Sequence, residues 1–182
     1  MRRIRRIGIV GGLPMLIVAL FATAAWAAQT TTINPANAPT GTHFQTGTAT
    51  CSVDATTLLV TCSSYELAGF GNANAVGSLQ ASYTATVQCR NHGGQIVEVK
   101  SQVTGAARTT GSLSPKNGRL AVPSLTSAPV PSAAEFEAQA TCPNGNWTKE
   151  LLGGTITLSS FTYTLTFAGF SGPYITITGN DP

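Results

Sequence analysis

Over residues 79–89 the chain alternates without a break: Leu79, Ala81, Tyr83, Ala85, Val87 and Cys89 are apolar, while Gln80, Ser82, Thr84, Thr86 and Gln88 are polar. Successive side chains of a strand point to opposite faces, so this spacing predicts a β-strand with one face in a core and one in water. Asn91-His92-Gly93-Gly94 then supplies residues that tolerate positive φ. After it, Val97, Val99 and Val103 resume the alternation against Glu98, Lys100 and Gln102, which predicts a hairpin. Asn117-Gly118, between SLSPK and RLAV, is a second turn signal.

A long strand is expected over residues 154–167. Its apolar parity changes from Ile156 and Leu158 to Phe161, Tyr163, Leu165 and Phe167, and a bulge at Ser159-Ser160 would repair the mismatch. A last strand over residues 174–178 ties the carboxyl end into the sheet. Ala68-Gly69-Phe70 and Ala168-Gly169-Phe170 each close a β-like run, with the glycine opening a turn and the phenylalanine folding back onto the sheet. Many threonines, frequent turn signals and little helical periodicity make an all-β antiparallel sandwich, immunoglobulin-like or related, the expected class.

The amino terminus has a different pattern. Arg2, Arg3, Arg5 and Arg6 precede an apolar run over residues 7–26, and Ala25-Trp26-Ala27 fits a small-x-small cleavage site, so residues 1–27 are expected to be a secretory signal peptide. An uncleaved anchor is the alternative, weakened by Gly11, Gly12 and Pro14. Arg5-Arg6 lacks the residues that usually follow a twin-arginine pair, which leaves the general secretory route. No later apolar stretch is long enough for a helical span and no cysteine sits at the cleavage point for lipid attachment, so no membrane anchor is expected after cleavage. Residues 28–43, rich in proline and small polar side chains, suggest a flexible leader, and residues 44–182 a single sandwich domain.

Export changes the charge. Four of the ten basic residues leave with the signal, so six remain against seven acidic. Arg90, Lys100, Arg108, Lys116, Arg119 and Lys149 are scattered along the chain, which excludes the electrostatic footprint of a nucleic-acid binder.

All four cysteines fall in the exported part, where an even count favours disulfides. If residues 51–62 form a hairpin turning near Thr56-Thr57, Cys51 faces Cys62 and Val53 faces Val60, so Cys51–Cys62 is the expected cross-strand bridge. Cys89 and Cys142, each in parity with core-facing neighbours, make the other pair. A metal site using Cys89, His92 and Cys142 is the less favoured use of that spacing. His43 is isolated and receives no role.

Catalytic chemistry finds little support. The spacing Gly-x-Ser-x-Gly is absent, and no triad can be assembled. Glu135 and Glu137 would share a face if this segment forms the strand that Phe136, Ala138, Ala140 and Cys142 suggest at period two, and could then serve a hydrolase as a carboxylate pair. Ser132-Ala133-Ala134-Glu135 instead has the spacing of a helix capping box. No metal or other cofactor is called for. The best binding candidate is the turn-rich loop over residues 142–148, where Trp147, flanked by Asn144 and Asn146, could stack on a sugar or a partner, or fold over the nearby disulfide. Asn146-Trp147-Thr148 is also a glycosylation sequon, relevant only in a suitable host.

Through this loop, SSFTYTLTFAGF and the KNGRL turn, the chain resembles small exported all-β proteins of actinobacteria that have no assigned activity. The resemblance implies an extracellular domain and brings no functional residues. The leading expectation is thus a secreted structural or interaction module, engaging a cell-envelope component, a glycan or another protein. The alternatives are a binding protein for carbohydrate or a small apolar ligand, and a secreted hydrolase.

Overall fold

A computed structural model describes residues 28–180 of the chain; the expected signal peptide and the last two residues lie outside them. In chain order the elements are β1 (Ala28–Ile33), β2 (His43–Thr46), β3 (Cys51–Val53), β4 (Val60–Cys62), β5 (Tyr65–Ala68), β6 (Ala75–Arg90), β7 (Ile96–Thr104), β8 (Arg108–Thr109), β9 (Arg119–Val122), β10 (Leu125–Thr126), α1 (Ala133–Gln139), β11 (Thr148–Leu151), β12 (Thr157–Phe167) and β13 (Ile175–Asn180). A seven-stranded antiparallel sheet runs β1-β13-β12-β6-β11, with β7 and β8 also paired to β6. Two three-stranded sheets, β10-β4-β3 and β2-β5-β9, complete the sandwich.

The alternation seen in the sequence builds the core. Leu79, Ala81, Tyr83, Ala85 and Val87 of β6 are buried together with Phe161, Tyr163, Leu165 and Phe167 of β12 and Ile175 and Ile177 of β13. Val60, Tyr65, Leu67, Leu120 and Val122 meet them from the smaller sheets in one apolar cluster. Each large side chain fully buried in this way is worth about 1.5–3 kcal/mol relative to exposure. The layers are also joined by a hydroxyl pair, Tyr65 to Tyr163 at 2.8 Å. The register of β12 against β6 shifts between Leu158 and Ser160, so the expected bulge is present and restores the inward face for Phe161. Gly69 and Gly169 open their turns at φ 84° and 87°, and Phe70 is buried beside Phe167, ring centroids 5.3 Å apart.

Two expectations require correction. The leader expected over residues 28–43 is not a free segment: β1 pairs along its whole length with β13, from Ala28 opposite Asn180 to Ile33 opposite Ile175. Its side chains do not carry an apolar stripe, so the backbone ladder holds it where periodicity gives no sign. Residues 133–139 form helix α1 rather than a strand. Glu135, at the third helical position, accepts hydrogen bonds from the Ser132 N–H at 2.7 Å and the Ser132 hydroxyl at 2.8 Å, which satisfies the helix start. Only Phe136 of α1 is buried, so the period-two pattern carried little hydrophobic weight there. In β7 the expected parity holds: Val99 and Val103 pack against the core, and Ser101 on the same face is buried, its hydroxyl donating to the Phe136 carbonyl at 2.7 Å, while Val97 near the start of the strand is 41% exposed.

Candidate functional site

The site starts from a hairpin whose two arms lie in different sheets. Residues 108–113 follow the edge of β6: Arg108 and Thr109 pair with Leu79 and Ser78, and Leu113 exchanges both backbone bonds with Ala75 at 3.0 and 2.8 Å. Two residues later Pro115 has no N–H to continue a ladder. Asn117 and Gly118 then turn the chain at φ 51° and 73°, the two positive values of a type I′ turn. Lys116 and Arg119 close that turn by exchanging both backbone bonds at 2.8 and 3.0 Å. From there β9 pairs with β5 in a smaller sheet.

Where the arms separate, a groove opens. One cavity of about 430 Å³ is lined by Glu66, Leu113, Ser114, Lys116, Asn117, Arg119 and Ala121. A second, of about 600 Å³, shares Glu66, Leu113 and Ala121 and adds Tyr65, Val122 and Pro123 among its walls. One end is therefore charged and the other largely apolar. Arg119 Nη1 lies 3.1 Å from Glu66 Oε1, the one salt bridge among the described residues. Both partners are partly exposed, so the pair itself stabilises by no more than about 1 kcal/mol. Lys116 sits directly across the turn from Arg119, and like charges in such pairs repel. With one carboxylate for two cations, the end of the groove carries a net positive charge.

The wall formed by β9 also offers backbone groups. Arg119 spends its N–H and C=O on Lys116, on the side away from β5. In an antiparallel strand these directions alternate, so those of Ala121, two residues on, point the same way. Neither has a hydrogen-bond partner among the described residues, and Ala121 is exposed in both cavities. The chain matches no protein-family model, no curated protein and no solved structure.

The residues singled out from sequence lie elsewhere. Cys51–Cys62 and Cys89–Cys142 are both bonded as expected, with Cys51 opposite Cys62 and Val53 opposite Val60 in the β3-β4 hairpin. The thiols considered for a metal site with His92 are thus consumed in a bridge. Asp54 holds the turn of that hairpin, accepting from the Thr56 and Thr57 N–H groups at 2.9 and 2.7 Å; those bonds, Thr57's first, hold its carboxyl below the ordinary range. His43 Nδ1 lies 2.8 Å from the Gly41 carbonyl. Glu135 and Glu137 do not form a pair: the helix turns them to different sides, Glu135 caps it, and Glu137 accepts from the Leu151 N–H at 3.0 Å.

Trp147 is half-buried, with Asn144 and Asn146 exposed beside it, and the Asn144 side chain accepts from the Asn146 N–H at 3.1 Å. This loop leads into β11, opposite Arg90 at the far end of β6 from Ala75 and Leu113. About 50 Å of extended strand separates those ends, so Trp147 and the groove are independent surfaces. Sequence reasoning found the Asn117-Gly118 turn but not the groove. Lys116 and Arg119 flanking a type I′ turn were legible as cross-strand neighbours, whereas Glu66, 53 residues away from Arg119, was not.

Proposed function

We propose that the protein is an exported extracellular interaction module that engages its partner through the groove beside β9. The observation that carries this reading is the groove itself: adjoining cavities of about 430 and 600 Å³ combining an apolar wall with an unneutralised cation, on a rigid, disulfide-stapled scaffold. Binding surfaces of this kind use apolar area for affinity and a few polar groups for orientation. The amino-terminal basic and apolar pattern and the two disulfides support delivery to an oxidising compartment.

The test is retention of envelope components by the immobilised exported protein, compared with a Lys116→Gln, Arg119→Gln variant. Specific retention that the variant loses is expected. Equal retention by both, or none by either, would remove the groove from the reading. A second reading, glycan binding at Trp147, is favoured by the partial exposure of its indole beside Asn144 and Asn146. Glycan-array signals that survive Trp147→Ala would count against it.

A further inference from the structure

Resting on the proposal that the groove is the interaction site, we infer that its ligand is the carboxyl-terminal end of an extended peptide, laid antiparallel to β9 with its terminal carboxylate at Lys116 and Arg119.

Two features select this occupant. The unpaired N–H and C=O of Ala121 present one rung of an open β-ladder inside the groove, and an extended peptide residue opposite can take both bonds, as in strand addition to a sheet edge. One rung further along, the ladder is already closed, because Lys116 holds the backbone groups of Arg119. Pro115, bonded to Lys116, takes the next place opposite Leu120 in the same antiparallel register, so a peptide lying on Ala121 and running towards Arg119 must end with its last residue opposite Ala121.

What it meets is a pair of cations with a single internal counter-charge. Arg119 uses Nη1 on Glu66 and keeps the rest of its guanidinium fork, and Lys116 makes no salt bridge or side-chain hydrogen bond among the described residues. A terminal carboxylate there relieves the cross-strand repulsion and accepts charge-assisted hydrogen bonds. Leu113 and Pro123 provide apolar surface for side chains upstream. Pro115 and Pro123 flank the open rung and cannot donate to a longer ladder, which keeps the site short and disfavours pairing with another full strand.

The experiment titrates the exported protein with three blocked peptides and follows its backbone amides by nuclear magnetic resonance. The probes are acetyl-Thr-Val-Thr-Val as the free acid, the same peptide as its carboxyl-terminal amide, and the free acid N-methylated at its last residue. The free acid is expected to shift the Ala121 amide and slow its hydrogen exchange. The terminal amide and the N-methylated analogue should each bind about tenfold more weakly or worse, since each removes one hydrogen-bonding or charged contact. Lys116→Gln with Arg119→Gln should abolish the preference for the free acid; if that variant does not fold, the three peptides on the unaltered protein still decide. Equal affinity for acid and amide, indifference to N-methylation, shifts centred away from Ala121, or no shift at millimolar peptide would each overturn the inference. Envelope components retained by the groove but not displaced by the free acid would leave the interaction module standing and this ligand rejected. Failure of retention and of peptide binding together would remove both.

Discussion

The buried hydroxyl pair between Tyr65 and Tyr163 shows how a single polar contact is set by its surroundings. Burial pushes the Tyr65 hydroxyl up beyond the ordinary tyrosine range, with the neighbouring Tyr163 adding to it, and burial raises Tyr163 as well. Tyr65→Phe leaves the Tyr163 hydroxyl without this partner at the sheet interface and should cost about 1–3 kcal/mol in urea unfolding. The double change to phenylalanine should cost less than the sum of the two single changes, because no orphaned hydroxyl remains; strict additivity would contradict the coupling. Glu135 provides a pH test. Hydrogen bonds from the Ser132 N–H, then its hydroxyl, hold the carboxyl below its ordinary 4.5. Its contribution to α1 is therefore complete above that ordinary value and fades as pH falls through the lowered one. Protection factors of the α1 amides, taken relative to the intrinsic exchange rate at each pH, should fall on acidification, and Glu135→Gln should flatten that dependence.

At the scale of elements, the strands with strong alternation were legible and the weakly patterned segments were not. In β6 and β12 the hydrophobic parity, including the bulge, reported burial because each buries one whole face. In α1, alanines fit either periodicity, and the capping side chain of Glu135 decided for helix. The sequence over β1 has no core-facing stripe, since its place comes from hydrogen bonds to β13, which any residue but proline can make. Deleting residues 28–33 should expose the β13 edge. We expect loss of stability together with increased self-association, measured by thermal unfolding and light scattering; an unchanged, monodisperse product would show that β1 is dispensable.

For the whole molecule, the two disulfides close separations of 11 and 53 residues, for which chain entropy predicts about 3 and 4 kcal/mol. Replacing Cys89 and Cys142 together by alanine should therefore destabilise more than replacing Cys51 and Cys62, as read from denaturant midpoints. If residues 1–27 are the signal peptide that their basic and apolar pattern suggests, amino-terminal sequencing of protein recovered outside the cell should begin at Ala28; a retained apolar segment would favour the anchor instead. The sequence by itself determined the sandwich class, both cysteine pairings, the bulge and the Asn117-Gly118 turn, because each follows from strand parity or local backbone chemistry acting over a few residues. Only the tertiary structure decided that β1 completes the large sheet, that Glu66 stands beside Arg119, and that the hairpin arms part to leave Ala121 unpaired in a cationic groove. Those are relations between segments distant along the chain, and a linear pattern holds no record of which strand edge is covered and which is left open.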